Sequence, residues 1–139
     1  MEQLQGFRQA RDETHPQDDG LILYTSGTTG SSPKAVVSSY YNLVNGGIQK
    51  AHSQSLTERD VICCALQLFH IFCIDVNVLS ALACGACLAL PDDLHTKSIL
   101  KTIQAECCTV LSCVPCMYQA MMGRGDFYSF DLSCLRTGI

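Results

Sequence analysis

The sequence predicts an α/β fold, a mostly parallel sheet flanked by helices. Three observations carry this expectation. Short apolar or β-branched runs (Leu21–Tyr24, Val61–Leu66, residues 86–90 and 108–112) alternate with segments of helical length. The longer segments are either amphipathic or apolar nearly all round, as helices covering a parallel sheet are. Helix punctuation falls where the alternation needs it, at Ser38-Ser39, Gly85 and Pro115.

Taken in order, residues 1–17 read as a polar, mobile lead-in, with His15-Pro16 favouring extended chain. Leu21–Tyr24 reads as a short buried strand, followed by the stretch YTSGTTGSSPKA and a second β-branched pair, Val36-Val37. Ser38-Ser39 can cap a helix over Tyr40–Ser53 with Leu43, Val44 and Ile48 on its apolar side. Gly46-Gly47 weaken that helix, which suggests close packing against a neighbour. A buried strand at Val61–Leu66 precedes a buried helix over Ile71–Ala83 that Gly85 ends. Residues 86–90 form a strand, PDDLHT a loop, and Thr96–Glu106 an amphipathic helix. Its Ile99, Leu100 and Ile103 point inward and Lys97, Lys101 and Gln104 outward. A strand at 108–112 leads to a helix over Pro115–Met122, with proline in the first turn.

Composition narrows the function. Among 139 residues, 47% are hydrophobic and 16% charged, which describes a core-rich globular chain. A net charge of −4 without basic clusters argues against nucleic acid as a partner. No apolar run approaches the roughly 18 residues of a membrane span, and the first twenty residues do not resemble a secretory signal. The expected location is cytoplasmic. The ten cysteines sit largely in apolar runs and read as reduced core thiols. Cys84-x-x-Cys87 and Cys113-x-x-Cys116 together imitate a four-cysteine zinc site. If their strands run parallel, however, one pair enters the sheet and the other leaves it, roughly 15 Å apart at about 3.3 Å per residue. No metal site is therefore expected.

The loop YTSGTTGSSPKA is either a flexible Gly/Ser/Thr turn or a cradle for an anion. It is not a Walker A loop, because Pro33 stands where glycine would precede the lysine, and it is not GxGxxG. Its residue order decides more than its composition. YTSGTTGSSPKAVV resembles the phosphate-binding motif of the adenylate-forming (AMP-binding) enzymes, approximately YTSGTTGxPKGV. In register with it, SYYNLVNGG resembles SHxNLxxN and LQLFHIFCID resembles PLFHxFG. GACLALP resembles GATxVxP, CTVLSCVPCMYQAMM resembles CTxLxGVPTMxxAxL, and FYSFDLSCLRTGI resembles DFSxxDLSSLRxGI. The FHxF wording is similar to the acyl-CoA synthetase branch, closest to medium-chain fatty acyl-CoA synthetases.

The resemblance covers Asp18–Ile139 and implies a segment of the family's large N-terminal domain, so 18–139 is expected to be a partial AMP-binding domain. It implies ATP with Mg²⁺, coenzyme A, and a fatty acid or other small carboxylic acid as the reactants of a two-step ligase. By position, Thr25, Ser26, Gly27, Thr28, Thr29, Gly30 and Lys34 would hold the β- and γ-phosphates, where N–H and O–H donors stabilise charge on departing pyrophosphate. His70 would stand at the mouth of the carboxylate pocket; apart from the resemblance it reads rather as a satisfied histidine at a strand end. Phe69, Phe72 and Val76 could wall the acyl chain or pack the core.

Four departures stand out: the extra residue in Ser31-Ser32, Ala35 for glycine, Gln67 and Cys73 for proline and glycine, and Tyr40 for histidine. The residues present include no counterpart of the family's adenine-binding strand or lid domain. The expectation is an acyl-CoA ligase fragment, inactive as this isolated chain. The alternatives are a noncatalytic nucleotide- or partner-binding protein on the same fold, and a CxxC-based zinc or redox module. Unpaired sheet edges also predict self-association.

Overall fold

The computed structural model describes residues 13–25 and 32–139. The chain divides into two compact units, with the boundary between Val44 and Asn45.

The first unit is built on an antiparallel ribbon of β1 (Asp19–Thr25) and β2 (Lys34–Ser39). Ile22 faces Val37, Leu23 faces Val36 and Thr25 faces Lys34. The register slips between Asp19 and Leu21, where Gly20 is the extra residue. A Cβ at Gly20 would stand 2.9 Å from Leu43 Cδ1, so the missing side chain makes room for the helix that follows. This ribbon corrects the expected buried strand. Along β1 successive side chains alternate, Leu21 and Leu23 half-buried and Ile22 and Tyr24 exposed, while on β2 both Val36 and Val37 are about half exposed. The apolar run here belongs to a largely exposed antiparallel ribbon, not to a strand covered on both sides.

Residues 15–18 form a hydrogen-bonded turn. The His15 N–H donates to Asp18 Oδ2 (2.8 Å), and the Asp18 N–H to the His15 carbonyl (3.0 Å). The Tyr40 and Tyr41 N–H groups donate to the carbonyls of Asp18 (3.1 Å) and Pro16 (2.8 Å). These contacts satisfy two donors that any helix start leaves unpaired. Ser39 Oγ accepts a third from the Asn42 N–H at 3.3 Å. The helix α1 (Tyr40–Ser53) has the expected span. Its expected apolar side does not hold: Val44 and Ile48 are about half exposed. The buried face instead carries Gly47 and Ala51, and a Cβ at Gly47 would stand 2.7 Å from the Leu79 backbone. Small residues, not branched ones, mark the contact face.

The second unit holds a parallel sheet of β3 (Val61–Cys63), β4 (Cys87–Ala89) and β5 (Val110–Leu111), in the order β4-β3-β5. Thr137 bridges Val110 in parallel on the far side of β5, with Leu111 N–H donating to the Thr137 carbonyl (3.1 Å) and Cys113 N–H to that of Ile139 (2.9 Å). The paired stretches are shorter than expected because Cys64, Ala65 and Ser112 leave the ladder yet stay buried. Apolar runs report burial, not pairing. Between β3 and β4 the helix is π-wound over Cys73–Leu79 and continues as α2 (Ser80–Cys84), ended by Gly85 at φ +77°. Its buried face carries Cys73, Val76, Asn77 and Ser80, while Leu82 is exposed, so it is not buried all round as expected. Then come α3 (Thr96–Ala105) and α4 (Pro115–Met122) at their expected places. Ile99, Leu100 and Ile103 of α3 meet Cys63, Ala65, Cys108 and Met121 in the core.

All ten cysteines are free. Because β4 and β5 both run parallel to β3, Cys84 and Cys87 lie at the entering end of the sheet and Cys113 and Cys116 at the leaving end.

Candidate functional site

Two places hold the residues singled out from the sequence. The first is the mouth of the hairpin. Thr25 closes β1 and Lys34 opens β2 directly opposite, with Thr25 Oγ1 donating to the Lys34 carbonyl at 3.5 Å. Both side chains are exposed. Ser26, Gly27, Thr28, Thr29 and Gly30 lie outside the described residues. The loop joins the two antiparallel strands of a ribbon that is separate from the parallel sheet. Pairing with Thr25 fixes the Lys34 backbone in the ladder.

The second place is around His70. It does not end a strand: β3 stops at Cys63, and His70 lies on an exposed turn whose N–H donates to the Gln67 carbonyl at 2.9 Å. The Phe72 N–H donates to His70 Nδ1 at 3.2 Å. Since Nδ1 accepts, the neutral ring carries its proton on Nε2, which is left to face other groups. His70 lines a cleft of about 360 Å³ with Ala65, Phe72, Leu94, Val114 and Met117. Phe72 and Val114 also line a larger cleft of about 750 Å³, where they meet Ile71, Val76 and Tyr118, with Lys50 and Asp75 among its walls. Of the three apolar candidates, Phe72 and Val76 are thus cleft walls, whereas Phe69 lines neither cleft and is largely exposed.

The sequence reading missed what braces this unit. Asp60 is 4% exposed and sits in the loop before β3. Its carboxylate accepts from Arg136 Nε (2.8 Å) and Nη2 (2.6 Å), from Thr109 Oγ1 (2.6 Å) and from the Thr57 N–H (2.8 Å). The Arg136 fork holds the Asp60 carboxyl far below the usual carboxylate range, and Asp60 in turn raises the arginine. Arg136 Nη2 also donates to the Ser55 carbonyl at 2.9 Å, past the end of α1. The partners lie 76 residues apart, so no local pattern links them. Beyond them, Tyr118 Oη donates to the Leu111 carbonyl at 2.5 Å, and burial pushes its phenol up to about 12. Gly138 packs so tightly on the Leu111 carbonyl that any side chain would collide with it.

The first unit thus brings a lysine to the end of a Gly/Thr-rich segment, and the second carries an apolar cleft beside a parallel α/β layer. The chain belongs to the AMP-binding enzyme family, whose model matches residues 2–139. YngI of Bacillus subtilis (strain 168) is 40% identical over 118 residues, covering 85% of this chain and 21% of YngI. Acyl-CoA ligase SID4 of Ajellomyces capsulatus is 34% identical over 137 residues, 98% of this chain and 23% of SID4. Among solved structures, ATP-bound MatB of Rhodopseudomonas palustris superposes with a TM-score of 0.77 at 25% identity, over 91% of this chain and 24% of MatB. The chain thus spans between a fifth and a quarter of the length of these relatives.

Proposed function

We propose that this segment grips the polyphosphate of ATP and lines the acid pocket in an ATP-dependent carboxylate–CoA ligase acting on a fatty acid or a similar small acid. The observation that carries the reading is the hairpin register. It sets Thr25 and Lys34 at the two feet of the loop, so the hydroxyls and N–H groups of Thr25, Ser26, Gly27, Thr28, Thr29 and Gly30 would meet the β- and γ-phosphates beside the Lys34 ammonium. Donors preset around departing pyrophosphate lower the cost of the charge that builds there. The naming of SID4 as an acyl-CoA ligase and the ATP in MatB support the same reading. His70, with Nδ1 engaged and Nε2 available, would orient the acid at the cleft, and Phe72, Val76 and Val114 would hold its apolar tail.

Among the described residues no group of three or more His, Cys, Asp or Glu side chains is placed to hold a metal ion. They offer Mg²⁺ no cage, and the metal would enter bound to nucleotide phosphates and water. Coenzyme A would accept the acyl group in the second step.

Titration calorimetry of the 139-residue chain with inorganic pyrophosphate tests the reading. Binding in the millimolar range, about −4 kcal/mol, is expected. It should be lost in Lys34→Ala and kept in Lys101→Ala, an exposed lysine elsewhere. Equal loss in both, or none in either, would overturn the assignment.

A further inference from the structure

We infer that Cys64 and Cys73 form an oxidisable dithiol, which peroxide converts to a disulfide spanning residues 65–72. Their sulfurs lie 3.0 Å apart, about 1 Å beyond the roughly 2.0 Å of a disulfide bond. Both residues are almost wholly enclosed, 2% and 0% exposed. The two sulfurs come from parts of the fold that hold them independently. Cys64 leaves β3 with its N–H donating to the Ala89 carbonyl at 2.9 Å, and Cys73 begins the π-wound segment. Asn77 Nδ2 stands 3.9 Å from each sulfur, within reach of both.

Access is one-sided, which orders the chemistry. Cys64 lines a cleft of about 290 Å³ walled by Leu66, Leu68, Leu90 and Pro91. That is ample for a peroxide, since water occupies about 30 Å³. Cys73 does not reach this cleft. Burial, with Cys64 beside it, pushes the Cys73 thiol up to about 12, which suits a protonated resolving partner.

The Cys64 sulfur attacks one oxygen of hydrogen peroxide and the O–O bond breaks. The thiol proton leaves with the second oxygen as water, and Cys64 becomes a sulfenic acid. The Cys73 sulfur then attacks the Cys64 sulfur and the S–O bond breaks. The Cys73 proton joins the departing hydroxide as a second water. Two thiols give up two electrons and one peroxide accepts them. The ring so closed includes His70 and Phe72, and oxidation would tether the wall of the acid cleft. That last consequence rests on the role proposed for His70; the disulfide itself does not.

The test uses the folded, reduced chain. It is exposed to hydrogen peroxide, capped with iodoacetamide and cut with chymotrypsin, which cleaves after Leu68, Phe69 and Phe72 and separates the two cysteines. The expected product is a Cys64–Cys73 linked peptide pair as the main disulfide, released by dithiothreitol. The same pair should fall to a minor share when the chain is oxidised unfolded in urea. In Cys73→Ser, the Cys64 sulfenic acid should persist and be trapped by dimedone. Three outcomes would overturn the inference: both thiols still capped in the folded chain at a peroxide dose that oxidises the unfolded one, a pair as frequent unfolded as folded, or linkage of Cys64 to another cysteine. The wild-type comparison decides the matter even if the serine variant fails to fold.

Discussion

Replacing Arg136 by methionine removes the fork that satisfies Asp60 while keeping the length of the side chain. Losing one partner of a buried ion pair costs about 3–5 kcal/mol, because the other charge stays behind uncompensated. Asp60 is enclosed, but the Arg136 side chain is 40% exposed, so water already screens part of the attraction. Thr109 Oγ1 and the Thr57 N–H also remain as donors. The expected loss is therefore about 2–3 kcal/mol, a large share of the 5–15 kcal/mol typical of a domain. Urea unfolding followed by circular dichroism measures it. Asp60→Asn in a double-mutant cycle with Arg136→Met should show strong coupling, since each change removes the same contact. The pH dependence gives a second readout. The Asp60 carboxyl is depressed below its unfolded value near 4, so its contribution is present above about pH 4 and is lost as pH falls toward the folded value. Asp60→Asn should flatten that acid limb. An Arg136→Met chain within about 0.5 kcal/mol of wild type, with an unchanged acid limb, would refute the brace.

Gly47→Ala places a methyl 2.7 Å from the Leu79 backbone and should cost about 1–3 kcal/mol by thermal or urea unfolding; Gly125→Ala, where nothing lies within 4 Å, should be near neutral. Deleting Ser32 shortens the hairpin loop without changing the ladder at Lys34, and a change in pyrophosphate affinity by calorimetry would show that loop length limits the grip. With ATP and octanoate, the 139-residue chain by itself should release pyrophosphate only at background; release that depends on octanoate and vanishes in Lys34→Ala would contradict this. Tyr118→Phe loses the bond to the Leu111 carbonyl and should cost about 1 kcal/mol in the same unfolding assay.

Helices with a full amphipathic stripe were legible in the sequence. Thr96–Ala105 shows it with Ile99, Leu100 and Ile103, and Pro115–Met122 announces itself by its proline. The parallel layer followed from alternation, and the family followed from the order of residues in the loop. What stayed hidden depends on distance or on small side chains. On α1 the pair Gly46-Gly47 did announce close packing, which Gly47 makes against Leu79, but hydrophobicity did not distinguish Ala51 and placed Val44 and Ile48 on the inner side instead. The buried side of the π-wound segment includes Asn77 and Ser80, which a hydropathy pattern assigns to solvent. Asp60 and Arg136 meet only once three strands are in place. Of the site, the feet of the loop and the two cleft walls Phe72 and Val76 were named in advance. The exposure of Phe69 and the Nδ1 contact of His70 depend on a turn that has no local signature.

The missing side chain at Gly47 reaches further than one contact. One helical turn beyond Gly47 lies Lys50, and one turn before Leu79 lies Asp75 with Val76; all three line the larger cleft. Where backbone rests on backbone, the spacing of two helices is set by atoms that no substitution elsewhere can alter. Gly47 on Leu79 thus works as a gauge block for the mouth of that cleft. Part of its width is set by main-chain contact, apart from the side chains that give it chemical character.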